Sequence, residues 1–168
     1  MNYTFAHLSD FHFSSLDDDF ARGCALVDDA ISQGADHLVV TGDIADAAQM
    51  EVVRGFIRHL KGQEWAGSER LTVIPGNHDI FPVSLRSLAS LRRPTSLFQK
   101  FNQATSSCRQ GAEPLVAGEH YPFGKVLSPD VVIVGMDTTR NEQFGPHKWA
   151  EGELQEHHRA AVSDFFAR

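Results

Sequence analysis

The sequence predicts an α/β domain built on a mostly parallel sheet. From Tyr3 to Ile74, short apolar strands alternate with amphipathic helices, the pattern of parallel strands joined by helical crossovers. A hairpin-like strand pair and a final helix follow. The 168 residues fit one domain, long enough to bury a core of its own.

Each element has a local reason. Strand one is Tyr3 to Leu8. Helix one runs from about Asp18 to Gln33, with Phe20, Cys24, Val27 and Ile31 as its apolar stripe. Asp17, Asp18 and Asp19 stand at its start, where carboxylates meet exposed N–H groups and the positive end of the dipole. Gly34 stops it. Strand two is His37 to Thr41. Helix two spans about Ala47 to Lys61, directing Met50, Val53, Ile57 and Leu60 inward, and Asp46 with Gln49 resembles a capping box at its start. Strand three, Leu71 to Ile74, ends at Pro75-Gly76. Val83 to Arg93 and Ser96 to Thr105 read as two short helices parted by Pro94. Gly111 to Phe123 carries no regular pattern. Phe123 to Leu127 and Asp130 to Met136 pair around Ser128-Pro129. Glu153 to Phe166 is the last helix.

Composition narrows the function. Hydrophobic residues make up 42% and charged residues 22%, which excludes wholesale disorder. No apolar run approaches the ~20 residues that span a bilayer, so no membrane partner is expected. The start MNYTFAHLSD has neither the basic nor the long apolar region of a signal peptide, which predicts a cytoplasmic chain. Two cysteines, Cys24 and Cys108, are too few for a disulfide scaffold and too far apart for a zinc knuckle. A net charge of −7 argues against nucleic acid gripped through its phosphates. Bound cations reverse the local sign of a site, so an anionic substrate stays open.

The informative positions follow the first three strands. Asp10-Phe11-His12 comes after strand one, Gly42-Asp43 after strand two, and Gly76-Asn77-His78-Asp79 after strand three. In a parallel sheet these fall on one edge, at the carboxyl ends of the strands, where ligands bind. Asp10 and His12 are two apart and project to the same side of an extended segment. The glycines before Asp43 and Asn77 allow tight turns beside a ligand. Singly, Asp43 reads as a cap or solvated turn, Asn77 as a turn former and His78 as a surface histidine. Together, in order and each after an apolar strand, they make a metal site of oxygen and nitrogen ligands. With no cysteine in it, the site suits Mn, Fe, Zn or Mg.

This series resembles the first three motifs of the calcineurin-like metallophosphoesterase superfamily. Val131 to Asp137, with Gly152-x-Leu154 beyond, is similar to the segment such proteins place before their fourth motif. The resemblance implies the N-terminal part of a four-layer αββα sandwich holding two divalent metal ions. It implies that Asp10 and His12 bind the first ion, that Asp43 bridges both, and that Asn77 binds the second. His78, held by Asp79, would then stand beside the phosphoryl oxygen or the leaving group. Two ions about 3.5–4 Å apart clamp a phosphoryl group and generate a bridging hydroxide as nucleophile. An imidazole beside the scissile bond can protonate a departing alkoxide, and a neighbouring carboxylate can fix its tautomer.

The family completes its cage with one later histidine and a Gly-His-x-His motif, and this sequence contains neither. His147 and the pair His157-His158 are the remaining candidates; His158 lies beside the apolar stripe of Leu154, Ala161 and Phe165, which predicts a helix-boundary role for it in preference to ligation. The chain is expected to be the N-terminal portion of a longer protein, missing its C-terminal half. The alternative is a short protein that pairs with itself or another chain. Either way, sheet and helix surface is expected to stand uncovered.

The leading function is metal-dependent hydrolysis of a small phosphodiester or phosphomonoester, with a lean toward the cyclic-nucleotide phosphodiesterase-like branch. The alternative is a catalytically incomplete scaffold with a partial metal site that binds a partner. A nuclease subunit is a third reading, opposed by the acidic balance and the lack of a basic stripe. Phosphate-binding glycine loops of the nucleotide-binding kinds are absent from the sequence, as is a paired Asp-x-Asp after strand one.

Overall fold

A computed structural model describes residues 3–81, 95–139 and 152–168. The expected helix from Val83 to Arg93 and the candidate His147 lie outside the described residues.

Three strands, β1 (Phe5–Leu8), β2 (His37–Val40) and β3 (Leu71–Val73), form a parallel sheet in the order β1-β2-β3. Phe5 pairs with His37, and Leu38 with Leu71. Helices α1 (Asp18–Ser32) and α2 (Met50–Gly62) make the crossovers. Both steps run the same way along the sheet, so right-handed connections put both helices on one face. Leu16 and Phe20 accordingly lean on Gly55 of α2. Between helices and sheet lies the core: Val27, Leu38, Val40, Val53, Phe56, Leu60, Leu71 and Val73 are all closed to solvent. Truncating a residue such as Phe56 in such a core costs about 3–5 kcal/mol.

α1 begins as its acidic start predicts. The Asp17 side chain accepts from the N–H groups of Asp19 at 3.0 Å and Phe20 at 3.2 Å. α2 departs from expectation. It starts at Met50, and Gln49 turns its side-chain oxygen to the Ala47 N–H at 2.7 Å without capping the helix. The reason is Ala48, whose φ is +54° and whose N–H goes to the His78 carbonyl at 2.7 Å. The loop is drawn across toward β3 and cannot yet wind into a helix.

After β3 comes one helical turn, α3 (Asn77–Ile80), where the sequence predicted only a turn. α4 (Thr95–Ala104) lies where the second short helix was expected, and a 3₁₀ turn over Ser106–Arg109 follows it. The unpatterned stretch contains a short strand, β4 (Glu113–Pro114). It joins β5 (Phe123–Ser128) and β6 (Val131–Gly135) in an antiparallel sheet ordered β4-β5-β6, with an irregularity between Val126 and Ser128. The two sheets are tied by Lys125, which is buried and donates from Nζ to the Leu71 carbonyl at 2.7 Å. α5 (Glu156–Phe166) starts three residues later than predicted and rests the Phe165 ring on Gly124 of β5. The cross-strand partners Val126 and Val132 are 62% and 36% exposed.

Candidate metal centre

The loops leaving β1 and β2 continue side by side past the ends of their strands. Asp10 N donates to the Gly42 carbonyl at 3.2 Å, His12 N to Asp43 at 2.9 Å, Phe13 N to Ile44 at 3.0 Å, and Asp46 N back to Phe13 at 3.1 Å. This ladder holds an unusual backbone. Asp10, His12 and Asp43 have φ of +59°, +48° and +52°, the left-handed region that side-chain-bearing residues avoid. Such residues cost about 1–3 kcal/mol each and persist where their surroundings over-determine them, chiefly at functional sites.

Gly42 and Gly76 pack backbone on backbone between these loops. Gly42 has φ +90°, and a Cβ there would overlap the Gly76 main chain; one at Gly76 would overlap the Asp43 carboxylate and backbone nitrogen. The third loop is thereby pressed against the second.

Three side chains converge. The His12 Nε2 lies 3.8 Å from Asp10 Oδ1 and 3.9 Å from Asp43 Oδ2, and all three atoms sit within 4.8 Å of one another. These distances exceed hydrogen bonds. Two ligands on one cation with bonds of about 2.1 Å lie no more than about 4.2 Å apart, so the spacing fits a divalent ion between them. The donor set of two carboxylates and one imidazole, without thiolate, fits the same class of ion. Asp43 is oriented by its other oxygen, which accepts from the His78 N–H at 2.9 Å. Asn77 opens α3 directly after Gly76 and is half-buried, its carbonyl accepting from Phe81 N at 2.9 Å.

His78 stands edge-on to His12, ring centroids 4.6 Å apart. Its Nδ1 donates to the Asp46 backbone carbonyl at 2.6 Å, so that nitrogen carries the hydrogen. Here the expectation is corrected. Asp79 was expected to hold the His78 ring; instead its Oδ1 accepts from Ala45 N at 2.9 Å and its Oδ2 from Gly76 N at 3.0 Å. Asp79 is fully buried, and desolvation pushes its carboxyl up to about 7 against the pull of those two N–H groups. It is the tie between the second and third loops.

Sequence reasoning missed Asp46 as a site residue and read it as a helix cap. Its Oδ1 lies 3.7 Å from Nδ1 of both His12 and His78, forming a second carboxylate–imidazole group. The available signal was its position three residues after Asp43 on the same loop.

Among the described residues, the other histidines have partners elsewhere. His7 meets Thr41 at 2.8 Å, His59 meets Asp28 at 2.8 Å, and His120 meets Arg109 at 2.8 Å. His157 and His158 face Glu119. Cys24 and Cys108 are buried free thiols that desolvation pushes up to about 11, as packing residues rather than nucleophiles.

A family model described as calcineurin-like phosphoesterase matches residues 3–158. The chain belongs to the calcineurin-like phosphoesterase family. Its parallel and antiparallel sheets are consistent with the fold of that family, and the match takes in every residue of the metal centre. Membership implies hydrolysis of phosphate esters with divalent metal. No curated protein matches the chain. Among the described residues, no helix of this calcineurin-like phosphoesterase is long and apolar enough to cross a membrane.

Proposed function

We propose that this calcineurin-like phosphoesterase hydrolyses a small phosphodiester or phosphomonoester. Asp10, His12 and Asp43 would hold one divalent cation, Mn, Fe, Zn or Mg, and Asp43 with Asn77 a second. The observation that carries the reading is the convergence of Asp10 and Asp43 on the His12 Nε2. Such cations, when bound, neutralise phosphoryl oxygens and bring the pKa of a coordinated water toward neutrality.

The chain's own groups supply the rest. Asp43 spends one oxygen on the His78 N–H, which fixes the direction of the other. The backbone carbonyl of Asp46 holds the His78 ring by Nδ1, so the imidazole is positioned to hand a proton to a departing alkoxide. The lean is toward a small substrate such as a cyclic nucleotide, because the net charge of −7 opposes a nucleic-acid polymer.

The test is hydrolysis of bis-p-nitrophenyl phosphate and p-nitrophenyl phosphate by the purified chain with Mn²⁺. Turnover that disappears with a chelator, with Asp43→Asn and with His78→Ala supports the reading. Turnover indifferent to all three refutes the assignment.

A second reading is a partner-binding domain with a partial metal site. Calorimetric titration separates the two, because two tightly bound ions at the Asp10–Asp43–Asn77 loops contradict the scaffold.

A further inference from the structure

We propose that Glu119, His157 and His158 form a separate site for a divalent transition metal of the zinc class, clipping the start of α5 to the segment between β4 and β5. The inference is independent of phosphoesterase activity and shares no donor with the Asp10–His12–Asp43 cluster.

Two imidazoles come from consecutive positions in the first turn of α5, and the carboxylate comes from a segment 38 residues away. His158 Nε2 lies 2.9 Å from Glu119 Oε2, and His157 Nε2 lies 3.3 Å from Oε1. The rings stand 4.1 Å apart, both turned to one carboxyl group. One donor atom from each residue lies within 4.8 Å of the others. Adjacent residues on a helix diverge by about 100°, so two neighbouring histidines aimed at one group need a common attractor.

The chemistry fits zinc. Two histidines and one glutamate are a known zinc ligand set, with a fourth position left for water. Ligand atoms at about 2.1 Å around a tetrahedral ion are spaced about 3.4 Å apart, so the 2.9 Å contact of His158 with Glu119, a hydrogen bond without metal, would open slightly to admit the ion. His158 is largely covered, with its side chain 13% exposed, while His157 remains open to incoming metal. Phe165 anchors the far end of α5 on β5, and the clip would anchor the near end.

The competing account is a plain ion pair between carboxylate and protonated imidazoles. Zinc titration of the full chain decides, read by calorimetry and thermal unfolding in an Asp10→Asn/His12→Ala/Asp43→Asn background that removes both groups built on His12. We expect that background to bind one zinc ion per chain with a rise in Tm. Adding His157→Ala and His158→Ala should abolish both effects, and Glu119→Gln should weaken binding roughly tenfold or more. Circular dichroism without metal checks that each variant is folded. In the unaltered chain, zinc should also shield His157 and His158 from diethyl pyrocarbonate, read peptide by peptide by mass spectrometry. Zinc binding unchanged by the histidine replacements overturns the site. So does a stability effect that follows pH but not zinc, or modification of both histidines at full rate in saturating zinc.

Discussion

Asp79 reaches back 34 residues to take the Ala45 backbone N–H at 2.9 Å, while its second oxygen takes the Gly76 N–H at 3.0 Å. One fully buried carboxylate thus fixes the spacing of the two loops that carry Asp43 and Asn77. Asp79→Asn keeps the volume but puts an amide NH₂ where an oxygen faced a backbone donor. A buried N–H left without an acceptor costs about 1–3 kcal/mol. The variant should therefore unfold at lower urea, by about 2 kcal/mol, and bind divalent metal more weakly. Unchanged stability would mean that other contacts hold the loops.

Gly76 should tolerate no side chain. A Cβ there meets the carboxylate of Asp43, held by the His78 N–H, and its backbone nitrogen, and neither can retreat cheaply. Gly76→Ala is expected to swing the Asp43 head group off the His12 nitrogen and weaken divalent-metal binding roughly tenfold or more, as loss of ligand support does. Calorimetry with Mn²⁺ measures it. Gly62 is the control, because a Cβ there meets nothing and Gly62→Ala should leave metal binding unchanged.

Asp46 should separate activity from stability. Its carboxylate is half exposed and stands 3.7 Å from two imidazoles, while the hydrogen bond that positions His78 comes from its backbone carbonyl. Asp46→Asn keeps that carbonyl and removes only the charge. Stability should stay within about 0.5 kcal/mol. Hydrolysis of bis-p-nitrophenyl phosphate should fall roughly 10–100-fold, the usual loss for a group that supports the residues around a metal. Equal rates for variant and parent would remove Asp46 from the site.

Much of this was legible because strand and loop signals are local. Apolar runs marked β1, β2 and β3, and Asp10, His12, Asp43 and His78, just past them, lie close together. What escaped was decided by contacts between loops. The capping pattern of Asp46 and Gln49 was present, but the bond from Ala48 to His78 pulled the chain out of helix and freed Asp46 to face two histidines. Asp79 follows His78 in sequence, so it read as that ring's support. Its true partners lie on another loop and at the preceding glycine. The Glu119–His158 pairing spans 39 residues and has no sequence signature.

His37 should give the chain an acid-sensitive core. It is fully buried on β2, its Nε2 meets Thr72 Oγ1 at 2.9 Å, and its Nδ1 has no partner among the described residues. Burial, aided by the positive charges of Lys125 and Arg70, pulls the imidazole down to about 4. An unfolded histidine takes its proton near pH 6.5. Between those values the unfolded chain binds a proton on this histidine that the native chain refuses, so the contribution of His37 is full above about pH 6.5 and drains as pH falls toward 4. The loss comes to about 3 kcal/mol. Lys125, held to about 8, stays protonated across this window in both states and adds no slope. Asp79, pushed up to about 7, takes its proton in the native chain first and works the other way over the same window, so the readout is a difference: in urea unfolding at steps from pH 7 to pH 4, the parent should lose about 3 kcal/mol relative to His37→Gln. If the two chains lose stability in parallel, the buried imidazole is not the acid-sensitive group.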